Sequence, residues 1–349
     1  MFDGSKPSSS VSRPRALITG ITGMVGSHLA EFLIDHTDWD IWGMCRWRSP
    51  LDNISGLIPR INEGGRVKIV YGDLRDTLSI QEVVRRSEPH YVFHLAAQSY
   101  PKTSFDAPLD TLDTNIQGTA RLLEALRISV PNAVIHVCAS SEVFGRVPKE
   151  KLPIGEDCTF HPASPYAISK VGTDLVGRYY AEAFQMNVMT TRMFTHTGPR
   201  RGDVFAESSF AKQIAMIEAD LIPPVIRVGN LSSMRTIADV RDAVRAYYML
   251  VTVNPTPGEY YNIGGNHTAT IGEVLDSLLS LSPRREEIEV QVDPERLRPI
   301  DADLQIPDTQ KFHAHTGWRP EIPYKQTIAD LMDYWRKQVA SHGHHYLTR

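Results

Sequence analysis

Thr19-Gly20-Ile21-Thr22-Gly23-Met24-Val25-Gly26 is the stretch that decides the fold of this 349-residue chain. It follows an apolar run, Ala16–Thr19, and opens an amphipathic one, Val25–Ile34, so three glycines at G-x-x-G-x-x-G spacing lie between a predicted strand and a predicted helix. Glycine lets a backbone turn tightly and approach a bulky anion, and the amides that start a helix favour that anion. Such a spacing alone is weak, because turns are rich in glycine. Its place between strand and helix makes it a dinucleotide fingerprint.

Outward from it, apolar runs at Ile41–Cys45, Val67–Tyr71, Tyr91–Leu95, Val134–Ala139 and Val188–Met193 alternate with polar or amphipathic stretches, among them helical patterns at Thr114–Arg127 and Ala167–Phe184. The alternation predicts βαβ units, hence an α/β fold with a Rossmann-type doubly wound parallel sheet, mainly over residues 14–198. Beyond Pro199 the pattern loosens. Helices are expected near Ser208–Ala219, Val240–Val251, Ile271–Leu281 and Lys325–Val339, with strands at Val225–Val228 and Ile288–Val292. These read as a smaller α/β cap, mainly over residues 199–340, some of whose segments return to the sheet. Residues 1–13 read as a disordered tail and residues 341–349 as a second tail.

A hydrophobic content of 42% is enough for a core, and a net charge of -4 offers no basic field for nucleic acid. Cys45, Cys138 and Cys158 form no Cys-x-x-Cys pair, which points to a reducing, cytoplasmic setting. No run approaches the roughly 18 apolar residues of a membrane helix, so no membrane partner is expected. The His342–His345 run is too short to argue for a metal, and no metal site is expected.

The second strand ends in Cys45-Arg46-Trp47-Arg48, where an acidic residue would select NAD by bonding the ribose 2′-hydroxyl. No carboxylate stands there, and Arg46 with Arg48 suits a 2′-phosphate, so NADP is expected and NAD stays open. Two solvated surface arginines are the alternative. Asp73, in Gly72-Asp73-Leu74, can accept from an adenine amino group or cap its own turn. Leu95-Ala96-Ala97 offers small residues against a cofactor.

Tyr166-Ala167-Ile168-Ser169-Lys170 puts a phenol and an amine four apart, on one helix face, where the cation can lower the phenol's pKa. Upstream, Ser140-Ser141-Glu142 follows a strand, at the sheet edge where ligands bind in this architecture. A serine hydroxyl there can bond a reacting oxygen.

In this order and spacing, Thr19–Gly26, Ser140–Glu142 and Tyr166–Lys170 resemble the extended short-chain dehydrogenase/reductase family. Thr195-His196-Thr197-Gly198-Pro199-Arg200-Arg201-Gly202, Gly229-Asn230-Leu231 with Arg235, and Arg298-Pro299-Ile300-Asp301-Ala302-Asp303 resemble its GDP-mannose 4,6-dehydratase branch, over about residues 13–338. The stretch Ala97–Asp106 leans towards the GDP-D-glycero-alpha-D-manno-heptose 4,6-dehydratases.

The resemblance implies a lyase that converts a GDP-sugar to its 4-keto-6-deoxy form by an internal hydride cycle on tightly held NADP. Tyr166, aided by Ser140 and Lys170, would take the 4-hydroxyl proton. Glu142 would take the C5 proton and assist loss of the C6 hydroxyl. It implies a dinucleotide site of Gly20, Thr22, Gly23, Met24, Val25, Gly26, Arg46, Asp73, Leu74, Leu95, Ala96, Ala97, Tyr166, Lys170, His196 and Arg201. Ser99, Ser141 and Glu142 would meet the sugar. Arg200, Arg201 and Arg235 would clamp the diphosphate or its ribose, Lys212 and Asn230 would line the guanosine, and Arg298 with Asp301 would close the cap.

Two departures bear on the substrate. The hexose enzymes usually carry Asn-His-Glu-Ser where this chain has Thr195-His196-Thr197-Gly198, and a histidine where it has Tyr100. GDP-mannose and the GDP-manno-heptose therefore both stay open, as does a homodimer or homotetramer. A GDP-4-keto-6-deoxy-sugar reductase or an epimerase is the alternative enzyme. A non-catalytic dinucleotide-binding protein is the alternative of another class, although such proteins usually lose the tyrosine or lysine that this chain keeps.

Overall fold

The computed structural model describes residues 13–297 and 302–343. The chain runs β1 (Arg15–Thr19), α1 (Met24–His36), β2 (Asp40–Cys45), α2 (Ile58–Asn62), β3 (Val67–Tyr71), α3 (Thr77–Ser87) and β4 (Tyr91–His94). Two short helices follow, α4 (Pro101–Asp106) and α5 (Pro108–Leu112), then a wide π-helical turn, Asp113–Gln117, leading into α6 (Gly118–Ser129). β5 (Val134–Cys138), α7 (Pro165–Phe184) and β6 (Asn187–Met193) complete the first half. The second half holds β7 (His196–Thr197), α8 (Ala206–Glu218), β8 (Val225–Val228), β9 (Met234–Asp239), α9 (Val240–Thr252) and β10 (Tyr260–Ile263). It closes with β11 (His267–Thr270), α10 (Ile271–Leu279), β12 (Glu289–Val292), β13 (Leu304–Gln305), α11 (Gln310–Thr316) and α12 (Tyr324–His342).

Seven strands form one parallel sheet in the order β10-β6-β5-β4-β1-β2-β3, which bears out the doubly wound expectation. The sheet is covered on both faces, which is why its strands read as near-continuous apolar runs. Leu29 and Leu33 of α1 pack with Ala243 and Tyr247 of α9 on one face. Val83 and Val84 of α3, Leu122 and Leu126 of α6 and Ala181 of α7 cover the other. A separate cluster of Phe210, Ile214, Ile226, Leu278, Leu331 and Trp335 binds α8, α10 and α12 to the smaller sheets.

Strand order reverses between β1 and β4, and in such sheets ligands bind beyond the strand carboxyl ends at that switch. Gly20 leaves β1 there and Leu95 leaves β4.

α7 begins where Ser164 Oγ accepts a hydrogen bond from the Ala167 amide (3.0 Å) with Pro165 as its first residue, and it stops at Gln185, φ 56°. It is bolted to β6 by Arg192, which donates to both carboxylate oxygens of Asp174 (2.7 and 3.2 Å) and to the Glu156 carbonyl (2.7 Å). Both charges are fully buried, and the guanidinium faces the rings of Phe160 and Tyr260. Removing one partner would strand the other charge in the interior at about 3–5 kcal/mol.

The pattern points to no strand at Met234–Asp239 or Tyr260–Ile263, yet both form. Each is short, and buried polar residues break its apolar run. Asn262 is one, its amide donating to Glu156 Oε1 (2.9 Å) and its Nδ2 to the Ile154 carbonyl (2.8 Å). Among the described residues, no helix is long and apolar enough to cross a membrane, and no group of three or more His, Cys, Asp or Glu is placed to hold a metal ion.

Candidate active site

The glycine turn is built by sterics. Gly20 has φ 77°, and a Cβ on Gly26 would lie 2.3 Å from the Gly20 carbonyl oxygen and 2.8 Å from Ile21 Cα. Only glycine lets α1 approach β1 this closely. Gly23 caps α1 with no side chain on the helix N-terminus and no acid in the first turn, so its amides remain available to an anion. The Asn53 amide donates to the Thr22 carbonyl (2.9 Å) and steadies the turn. Thr19 Oγ1 accepts from the amides of Leu95 and Ala96 (both 3.1 Å), tying the start of the loop after β4 to the end of β1. The cradle fits a dinucleotide.

At the end of β2, Arg46, Trp47 and Arg48 are exposed, and Arg46 lies near enough to Asp73 to favour its ionised form. Asp73 itself is engaged by Arg75. The guanidinium takes both carboxylate oxygens (3.2 and 3.0 Å) and the Arg75 amide bonds Oδ1 (3.0 Å), so hydrogen bonding holds the carboxyl below its usual range. That is the turn-capping role of the two read from the sequence. Leu74 is buried in the core, while Leu95, Ala96 and Ala97 are half-buried.

β5 delivers Ser140, Ser141 and Glu142 to the same edge of the sheet. Ser140 is extended and caps a single 3-10 turn, its Oγ accepting from the Glu142 amide (3.2 Å). Tyr166, in the first turn of α7, is buried, and Ser140, Glu142 and Arg201 all bear on its hydroxyl. Burial pushes the phenol's pKa well above the usual tyrosine value; the Ser140 side chain and the Arg201 charge pull it down, and Glu142 pushes it up. Ser140, Glu142 and Tyr166 therefore meet at one point.

Lys170 is buried, and its ammonium donates to the Cys138 carbonyl (2.8 Å); burial lowers its pKa. The expected effect of Lys170 on the phenol is not among the forces on Tyr166, where the cation that acts is Arg201.

The two adjacent arginines expected to clamp together part company. Arg200, at φ 70°, turns to α1 and forms a fork with Glu31 (2.6 and 2.9 Å). Arg201 turns inward, its guanidinium 3.4 Å from the Phe205 ring centre and 3.2 Å from Glu207 Oε1. His196, half-buried beside Arg201, is held neutral by burial, which brings its pKa to about 4. Tyr100 meets Phe205 edge-on (6.0 Å), while Ser99 is exposed.

On the cap side, Lys212 pairs with Asp203 (2.7 Å), Asn230 donates to Ser233 (2.9 Å), and Arg235 donates to the Met234 carbonyl (3.0 Å). Arg298 and Asp301 lie outside the described residues. Asn53, Phe205 and Glu207 support the site without a local sequence signal, since each acts on a partner set by the fold.

The family model for GDP-mannose 4,6 dehydratase matches residues 17–331. The GDP-mannose 4,6 dehydratase of Drosophila melanogaster is 30% identical, covering 91% of this chain and 85% of its own. The GDP-6-deoxy-D-mannose reductase of Pseudomonas aeruginosa is also 30% identical, over 93% of this chain and 98% of its own. Among solved structures, RMD from Pseudomonas aeruginosa complexed with NADPH superposes with a TM-score of 0.78 at 28% identity, over 93% of this chain and 100% of that one. A matching family model over nearly the whole chain, on a parallel sheet whose glycine turn, serine, glutamate, tyrosine and lysine share one edge, makes this chain a member of the GDP-mannose 4,6-dehydratase family.

Proposed function

We propose that the protein is a GDP-sugar 4,6-dehydratase that works on bound NADP. The observation that carries this reading is the meeting of Ser140, Glu142 and Tyr166 at the carboxyl edge of the sheet, beside a glycine turn open to a pyrophosphate. In this reading residues 14–198 supply mainly the dinucleotide half and residues 199–340 mainly the sugar-nucleotide half. Arg46 and Arg48, exposed at the end of β2, suit a 2′-phosphate. The nicotinamide supplies a hydride acceptor and donor when bound.

Tyr166 takes the proton of the sugar 4-hydroxyl, Ser140 bonds that oxygen, Arg201 offsets the negative charge that develops on the phenol, and Lys170, one turn along α7 and held on the Cys138 carbonyl, completes the site. Once C4 is a ketone the C5 hydrogen is acidic. Glu142 removes it and returns a proton to the departing C6 hydroxyl. Arg201 stays with the substrate and cofactor site, whereas Arg200 serves the fold through Glu31. Lys212, Asn230 and Arg235 are the residues of the cap assigned to the nucleotide.

A reductase is the second reading, supported by the full-length match to the Pseudomonas aeruginosa enzyme. The two differ in cofactor demand. Purified protein, with no cofactor added, is incubated separately with GDP-mannose and GDP-D-glycero-alpha-D-manno-heptose and the products are weighed by mass spectrometry. Loss of one water from either sugar, repeated over many turnovers, is expected. No loss from either, with NADP supplied, would overturn the reading in favour of the reductase.

A further inference from the structure

β5 ends at Cys138, and residue 138 is held from both faces of the sheet. Alternate strand residues face opposite ways, so His136 and Cys138 face α9 while Val137 faces α7. From the α7 side, Lys170 donates to the Cys138 carbonyl (2.8 Å). From the α9 side, Tyr247, fully buried, brings its hydroxyl to 3.6 Å from Cys138 Sγ. The Tyr247 ring lies on His136 (4.3 Å between centres), and His136 Nε2 is 2.8 Å from Thr191 Oγ1.

His136, Thr191 and Tyr247 are fully buried in a cluster otherwise made of residues such as Ile18, Phe93, Met189 and Ile263. A polar chain in such a place is costly unless its members satisfy one another, and once satisfied it fixes one arrangement rigidly. A phenylalanine at 247 would fill the same space without that requirement. The hydroxyl leads to Cys138, the residue whose carbonyl accepts from Lys170.

We propose that Tyr247 is a positioning residue for Lys170, gripping through its hydroxyl the thiol of the residue whose carbonyl holds the ammonium. The inference rests on the function proposed above only in calling that lysine catalytic. Groups bearing on Lys170 come from several elements: His94 from β4, His136 and Cys138 from β5, Tyr247 behind Cys138 from α9, and Tyr166 one turn back on α7.

The test is pH-dependent competitive acetylation of the purified full-length protein, with the labelling of Lys170 read by peptide mass spectrometry in wild type, Tyr247→Phe, Cys138→Ala and the double variant. Loosening the carbonyl removes an acceptor that favours the charged amine, so the Lys170 pKa falls. For half a unit, labelling at a pH below that pKa rises about threefold. Both single variants are expected to show the rise, and the double variant no more than either. An unchanged Lys170 curve in Tyr247→Phe, or additive effects in the double variant, overturns the proposal. Should Tyr247→Phe lose its cooperative thermal transition, an unchanged curve in Cys138→Ala does so instead. Failure of the wild type to dehydrate a GDP-sugar would defeat the proposed function and leave this readout intact.

Discussion

In the proposed reaction Tyr166 gives up its proton in a place that opposes ionisation. Burial raises its pKa, and the Arg201 cation is among the groups that lower it. Replacing Arg201 by Met removes that help, so the phenol titrates at still higher pH. The acid limb of a kcat profile is expected to move up by on the order of one unit. A limb that stays put in Arg201→Met would show that Arg201 serves binding alone. Tyr166, Lys170, Ser140 and Glu142 were legible in the sequence because helix spacing and a strand end are local facts. Their partners were not. Lys170 finds a carbonyl on a strand 32 residues away, and two neighbouring arginines diverge because Arg200 adopts φ 70°. No spacing rule reports either.

At the scale of the element, α7 carries more than Tyr166 and Lys170. Ile168, Leu175 and Tyr179, 47–57% exposed, recur at positions that bring them onto one outer stripe, and Leu109 of the adjoining α5 is 78% exposed. The family resemblance implies a homo-oligomer, and this stripe is where a second copy would cover α7. Tyr179→Asp together with Leu175→Asp is expected to halve the mass seen by light scattering, with the thermal transition retained. A wild type already monomeric in the same measurement would remove the idea. The βαβ elements were legible because a strand buried on both faces reads as a solid apolar run. β9 and β10 were not, since polar residues within them bond partners far off in the chain, Asn262 to Glu156 and Ile154, and Thr236 to Thr268.

The whole molecule should be acid-sensitive. His94 and His136 are fully buried, and burial brings both to a pKa of about 3. For His94 the hydrogen bonds fix the neutral form. Thr19 Oγ1 accepts two amides and keeps its proton for Nδ1 (3.0 Å), and Nε2 is left to donate to Thr119 (2.9 Å). The native state holds both rings neutral, whereas the unfolded chain protonates them near pH 6.5. Stability is thus complete above that pH and is lost as pH falls towards 3. Between pH 6.5 and 5 the loss is about 2 kcal/mol per histidine. Urea unfolding at the two pH values measures it, and a midpoint that does not fall would place these rings in contact with water.

The outer strand of the large sheet, β10, is drawn from the far side of the cap-forming segment. A ribosome that has released only the first 198 residues has therefore made the glycine turn and the catalytic helix, but leaves β6 as a bare edge. That edge is buried in the finished protein, and an unpaired strand edge is the kind that captures other strands while it waits. The sheet is sealed only once Tyr260–Ile263 emerges. Synthesis of this chain thus passes through a stage at which most of the active site is present and the molecule is at its most prone to aggregate.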